Sequence, residues 1–489
     1  MSFVREKFDS FVVIIFSIML GMTLIGAIRS ENLLISNTTA RIFSVPILIL
    51  VIFFLFRVGT LNKFFKKNAV LLGIIGLLLT FIIQIYTVYQ THPAIGFDLW
   101  AFKHAIVSKS LDAESAYFSH NQNNILMLLI QRSYFSIVGI KNYWLKLDLL
   151  NIVLIDFSVI INILTVSVYN KIYKARAIWL HVILLFFFPM ILVPYSDTFI
   201  LPFVSLELLL FAGIIHSKRL IFTIVYAMIL GPLTSFVYFI KPSAIIPVIA
   251  IVIMVILRLN RVGKKEILIT ALFLLMFISA SIVISNFVAT QKYIEINKHN
   301  NTPPIHFIDI GMSGQTGGYD MDSVNMMNKL KSPQQREKYS VHHIKQTLGK
   351  RGSLGYFKFL ISKQGYNTSD GTFGWLREGN FIVASSKVHT NVFKQYLYAD
   401  GKYLPDFNFW AQVLWIVALG ILLLGFENRG LLEQTLRLGI IGGFIFLLLF
   451  EGGRSRYLIQ FLPLFLVLLA LINFSGIIKL KKLYLTLKK

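Results

Sequence analysis

The sequence predicts an all-α polytopic membrane protein, and three observations carry that reading. Of its 489 residues 56% are hydrophobic, its mean hydropathy is +0.70, and apolar runs long enough to cross hydrocarbon recur along the chain. This composition leaves no soluble alternative. Cysteine is absent, which excludes disulfides, thiolate zinc sites and a thiol nucleophile while leaving Asp, Glu and His available for a cation. Lys and Arg number 47 against 23 Asp and Glu, a net +24. In a soluble chain that excess would suggest nucleic acid; in a multi-pass protein it marks loops held in the cytoplasm, so no nucleic-acid partner is expected.

The first apolar run, 11–28, follows Arg5 and Lys7. It is long for the apolar region of a signal peptide and is soon followed by a second run, so it reads as a retained helix. Further runs lie at 42–56, 69–86, 124–140, 149–169, 177–194, 198–215, 220–240, 242–257, 267–288, 407–426, 438–450 and 457–474. If every run crosses, the basic segments NKIYKAR (170–176), HSKR (216–219), RLNRVGKK (258–265) and KLKKLYLTLKK (479–489) fall outside. Laying 124–140 in the interface returns them all to the cytoplasm, together with RVGTLNKFFKK (57–67) and ENRGLLEQTLR (427–437). About twelve crossings then remain, with both termini inside. Gln131, Arg132 and Ser133 at the middle of 124–140 suit an amphipathic interfacial helix.

This topology collects the unusual polar residues on the outer face. There lie the loop 89–123, the turn PYSDT (194–198), the junction FIKPS (239–243), the long stretch 289–406 and EGGRSR (451–456). Within 289–406, apolar residues at helical spacing in QQREKYSVHHIKQTLGK (334–350) and around it predict a small mixed extracytoplasmic domain. The chain accordingly divides into an additional N-terminal hairpin (1–68), a transmembrane core with its first outer loop at 89–148 (69–288), the outer domain (289–406), and C-terminal helices with a basic tail (407–489).

The order of these features resembles the GT-C superfamily of membrane glycosyltransferases, from about residue 69 onward. The resemblance rests on GFDLW (96–100), HNQNN (120–124), PYSDTFILP (194–202), YFIKPSAIIP (238–247) and EGGRSRYLIQFLP (451–463). IHFIDIGMSGQTGGYD and SDGTFGW (369–375) are similar to Gram-positive integral membrane proteins thought to decorate envelope polysaccharide or teichoic acid. The resemblance implies a GT-C-like fold in a bacterial plasma membrane, a polyprenyl-phosphate-linked sugar as donor, a cell-envelope glycan acceptor and an active face outside the cytoplasm. GFDLW carries one acid where the commonest pattern has an adjacent or DxD pair, which leaves use of a metal open.

The residue chemistry fits those roles. Sugar transfer to a hydroxyl needs a base, and Asp98 is the candidate; Asp197 is the second, as base or as a group that positions the acceptor. Either acid could instead simply cap a helix. The phosphate leaving group calls for cations, and Arg454 and Arg456 are suited to bind its oxygens, with Lys241 and Tyr457 beside them and Glu451 orienting an arginine or the acceptor. Snorkelling to headgroups is their plainer explanation. His120, Asn121, Gln122, Asn123 and Asn124 offer the donors and acceptors that sugar hydroxyls need, or serve as caps. Asp98 with His104 and His120 would be the set for a divalent cation, whereas the DMD of 320–322 is discounted. Asp156 and Asn162 are polar residues inside a span.

These readings lead to an inverting glycosyltransferase. A polysaccharide polymerase shares the same features, and a lipid-linked glycan transporter is the alternative of another class. The transporter would show charges along a path within several helices and two related halves, and the sequence shows neither.

Overall fold

The computed structural model describes residues 2–34, 63–108, 112–258, 263–314, 320–377, 379–383, 391–450 and 452–472. The run 42–56 and Glu451 lie outside the described residues. Helices carry the fold. They are α1 (Ser2–Ile28), α2 (Lys63–Thr91), α3 (Phe97–Val107), α4 (Asp112–His120), α5 (Ile125–Val138), α6 (Tyr143–Tyr169), α7 (Lys174–Phe186), α8 (Ser196–His216), α9 (Leu220–Ile240), α10 (Ile246–Arg258) and α11 (Lys264–Thr290). After these come α12 (Pro304–Met312), α13 (Met321–Lys329), α14 (Pro333–Thr368), α15 (Val392–Leu397), α16 (Leu404–Leu424), α17 (Leu431–Leu449) and α18 (Leu462–Leu471).

Among the described residues eight helices are long and apolar enough to cross a membrane: α1, α2, α6, α8, α9, α11, α16 and α17. Two shorter apolar segments, Pro242–Leu257 and Ser455–Leu471, each begin as a 3-10 turn and continue as α10 and α18. The protein is therefore a multi-pass helical membrane protein. The run 124–140 is a 14-residue helix, α5, not counted among these spans. The run 177–194 ends as a helix at Phe186 and turns at Pro189, a residue that has no N–H to continue the ladder and disfavours helix in the residue before it.

The bundle buries its polar groups pairwise. Ser158 meets Ser205 at 2.7 Å, Asn162 meets His181 at 3.3 Å, and the Asn151 amide donates to the Met190 and Ile191 carbonyls. Such bonds between helices replace water that the bilayer cannot supply. Helix α11 contributes no buried residue to this core and lies along α9, with Leu275, Ile278 and Ile282 exposed as a lipid-facing surface. The pair approaches closely because Gly231 has no side chain: a Cβ there would stand 2.7 Å from the Phe273 carbonyl.

Helix α1 is built into the bundle against α14, α16 and α17. Its first half receives the Gln434 amide on the Asp9 carbonyl, and its second half bonds Thr23 to Thr368 at 2.8 Å. The stretch 289–406 is likewise joined to the bundle. It is mainly helical among its described residues, and α14 kinks at Gly352 before sending its second half between α1 and α17. The strand content is one two-residue ladder, β1 (Ala94–Ile95) antiparallel to β2 (Ile382–Val383).

SDGTFGW is a structural knot. Both Asp370 carboxylate oxygens accept backbone N–H groups, from Thr372 and Gly374, and Asn32 and Gln412 close the turn from α1's end and from α16. Trp375, fully buried, then stacks edge-on against Phe381 at the start of the ladder.

Candidate functional site

One end of the bundle receives the C-termini of α2, α9, α11 and α17 and the N-termini of α6, α8 and α16. Here the chain repeatedly leaves helix at a charged residue. Pro242 forces Lys241 into an extended conformation, so α9 stops and the lysine turns out of the helix line. Arg454 is extended in the same way before the turn that carries Arg456. Between them, Asp197 lies in the first turn of α8, after the break that Pro189 imposes.

These three segments meet. Lys241 Nζ lies 2.7 Å from Asp197 Oδ1, and Arg456 Nε lies 3.0 Å from Asp197 Oδ2. Asp197 is 1% exposed and Arg456 7%. Among the described residues, this carboxylate and its two cations sum to a net positive charge of one, which a lone ion pair would not. Aromatic rings line it: the Arg456 guanidinium stands 4.4 Å over Phe97 and 5.5 Å over Tyr195, and Lys241 stands 5.3 Å over Tyr457. Such faces favour a cation that is poorly hydrated.

Asp98 approaches from another direction. The β ladder and a 2.7 Å bond from the Gly96 N–H to the Phe381 carbonyl fix GFDLW against the stretch 289–406. Phe97 then takes a positive φ of 37°, an uncommon conformation for a non-glycine residue that costs about 1–3 kcal/mol. It brings the Phe97 ring under Arg456 and sets Asp98 at the start of α3. Asp98 is hydrogen-bonded to the Tyr117 hydroxyl, the Asn124 amide donates to Tyr117 at 2.9 Å, and Tyr195 donates to Asn124 at 3.4 Å. Burial and then the Asp98 charge hold the phenols of Tyr117 and Tyr195 well above the usual range, so both remain donors. Asp98 and Asp197 both act electrostatically on Tyr195.

The structure thus gathers Asp98, Asn124, Asp197, Lys241, Arg456 and Tyr457, and adds Tyr117 and Tyr195, which the motifs did not single out. The aromatic pair in SAYFSH just before HNQNN, and the tyrosine inside PYSDT, were the available signals. Arg454 enters through its backbone, its N–H donating to Asn367 Oδ1 at 3.1 Å, while Ser455 donates to the Tyr366 carbonyl. The second half of α14 therefore holds the arginine turn in place. The other amides of HNQNN make local bonds: Asn121 and Gln122 cap the end of α4 on the Tyr117 and Ser119 carbonyls, and Asn123 bonds Asn124. His120 sits near Arg336, and burial followed by that positive charge lowers its pKa.

Among the described residues no three His, Asp or Glu side chains come together as a cation site. His104 pairs with Glu114 at 3.4 Å and His120 stands with Arg336, so the set of Asp98, His104 and His120 is not assembled. Asp320 caps α13 by accepting the Asp322 and Ser323 N–H groups, which accounts for the DMD sequence structurally.

No curated protein and no solved structure matches the chain. Residues 4–476 match the family described as "Conserved hypothetical integral membrane protein", and the chain belongs to that family.

Proposed function

We propose that the protein is an inverting GT-C-type glycosyltransferase, moving a sugar from a polyprenyl-phosphate donor to an acceptor glycan outside the cytoplasm. The observation that carries this is the pairing, at one end of the bundle, of a cationic group with a separate carboxylate. Lys241 and Arg456 around Asp197 supply the positive charge, and Asp98 with Tyr117 supplies the acid–base group. Asp98 is the base that takes the acceptor hydroxyl's proton as oxygen attacks the anomeric carbon. Arg456 and Lys241 bind the phosphate oxygens that gain charge as the sugar–phosphate bond breaks. Asp197, engaged by both cations, holds them in place and is not the base.

The proposed orientation follows from charge. Lys171, Lys174, Arg176, Lys218, Arg219, Lys264, Lys265 and Arg429 border the end opposite the site, which makes that end cytoplasmic and the site extracytoplasmic, in a bacterial plasma membrane with about twelve crossings. Purified protein given a polyprenyl-phosphate sugar labelled in the sugar tests the reading. Transfer of label to an envelope glycan by wild type, abolished in Asp98→Asn, is the expected result; label released only as whole repeat units would make the protein a polymerase.

A further inference from the structure

Helix α14 changes character at its kink. Before Gly352 its exposed side chains are polar or charged, among them Gln334, Glu337, Lys338, His342 and Lys345, with Val341 the exception. After Gly352 an apolar face is exposed. Leu354 is 69% exposed, Phe357 59% and Ile361 44%, at the i, i+3, i+7 spacing of one helix face, which Lys358 shares. Single exposed apolar residues are ordinary, but a row of them on one face needs a cover.

The neighbours identify that cover. The Gln364 amide donates to Thr23 Oγ1, and Thr368 meets the same hydroxyl at 2.8 Å. Thr23 lies five residues before Ile28, the end of α1, and therefore about 8 Å inside that helix. On the other side Lys363 Nζ and the Asn367 amide donate to the Leu448 and Leu447 carbonyls, in the last turn of α17. Both flanking helices are long and apolar enough to span a membrane. In these same stretches they expose further apolar side chains, Ile25 and Ile28 on α1 and Ile445 and Leu449 on α17. The exposed face of α14 thus continues a lipid-facing surface. Gly352 makes the change of solvent possible, since its φ of 61° breaks the helix line in a conformation that glycine adopts freely.

We infer that residues 353–368 form an interfacial half-helix sunk into the lipid leaflet at the site's end of the bundle, while 333–351 stand in water. Leu354, Phe357 and Ile361 lie against acyl chains, and Lys358 extends to the headgroup phosphates. The leaflet thereby seats the arginine turn as well. Asn367 Oδ1 accepts the Arg454 N–H and the Tyr366 carbonyl accepts the Ser455 hydroxyl, both from the end of this half-helix. None of this rests on the transferase reading.

The chain has no cysteine, so single-cysteine variants of the full-length protein carry one nitroxide label each. In lipid discs, labels at Leu354→Cys, Phe357→Cys and Ile361→Cys collide severalfold more with oxygen, which concentrates in lipid, than with a water-soluble nickel chelate. Labels at Gln334→Cys, His342→Cys and Gln346→Cys, before the kink, show the reverse. Equal access of the nickel chelate to both sets puts the face in water and overturns the inference. So does protection of the first set from both reagents, which assigns the face to a second copy or another protein. A label at Gly453→Cys reads the arginine turn: its motion increases when Phe357→Asp/Ile361→Asp is added and stays unchanged with Phe357→Leu/Ile361→Leu. Unchanged motion in the aspartate variant overturns the link to the turn.

Discussion

Two aspartates share one end of this bundle and are held in opposite ways. Asp197 comes from the membrane core, carried by α8, and both of its oxygens face cations. Asp98 comes from the segment after α2, is set by a strand pair with the stretch 289–406, and is held by the hydroxyl of Tyr117. Facing cations with both oxygens makes the Asp197 carboxylate part of a buried charge cluster, whereas Asp98 lies outside that cluster, beside a phenol.

Breaking the core aspartate gives the largest effect. Asp197→Ala leaves partly buried Lys241 and buried Arg456 without this counter-charge, and loss of one partner from a buried group of charges costs about 3–5 kcal/mol. Thermal unfolding in detergent measures this, and an unfolding temperature close to wild type would show that the cations are held by something other than Asp197.

Breaking the loop aspartate acts on rate and leaves stability. Asp98→Asn keeps an oxygen for the Tyr117 hydroxyl, so unfolding stays near wild type, while transfer falls by about 100-fold or more, the range for loss of a general base. Equal losses of stability in the two aspartate variants would erase the distinction. Tyr117→Phe sharpens it further. Removing one hydrogen bond to Asp98, worth about 1.5–3 kcal/mol for a charged acceptor, lowers transfer by about ten- to a hundredfold. An equal effect of Tyr195→Phe would mean that the Asn124 bridge matters as much as the direct bond.

The smallest effect is a pH slope. Burial and the charge of Arg336 lower the His120 pKa in the folded protein below its unfolded value of about 6.5. The folded state therefore prefers the neutral ring, so stability from this residue is present above pH ~6.5 and is lost as pH falls through the lower folded value. Unfolding temperature should decline in that window for wild type and decline less in His120→Gln, and identical slopes would remove His120 from the account.

Much of this was legible in the residues. The apolar runs locate the eight long spans found among the described residues, and the charges of the loops place GFDLW, PYSDT, FIKPS and RSRY at one end. Which residues touch was not legible. The bond of Asp98 to Tyr117 joins two short helices, α3 and α4, and the meeting of Asp197, Lys241 and Arg456 brings Arg456 to segments more than 200 residues before it. No periodicity encodes such contacts. The amides of HNQNN illustrate the opposite error: a series suited to sugar hydroxyls is largely spent on ending α4, because Asn and Gln side chains compete for nearby backbone carbonyls. The place of α1 was also hidden, since the bonds that seat it, Thr23 to Thr368 and Gln412 to the Ala27 carbonyl, reach across most of the chain.

The most direct test of the central claim is the glycan composition of cells lacking the native protein and supplied with wild type, Asp98→Asn or Arg456→Ala, each shown to be inserted at equal level. Loss of one specific sugar in both variants, with the glycan otherwise intact, is the predicted result. Unchanged composition in both, with altered chain length or export, would contradict it and turn the reading to a polymerase or transporter.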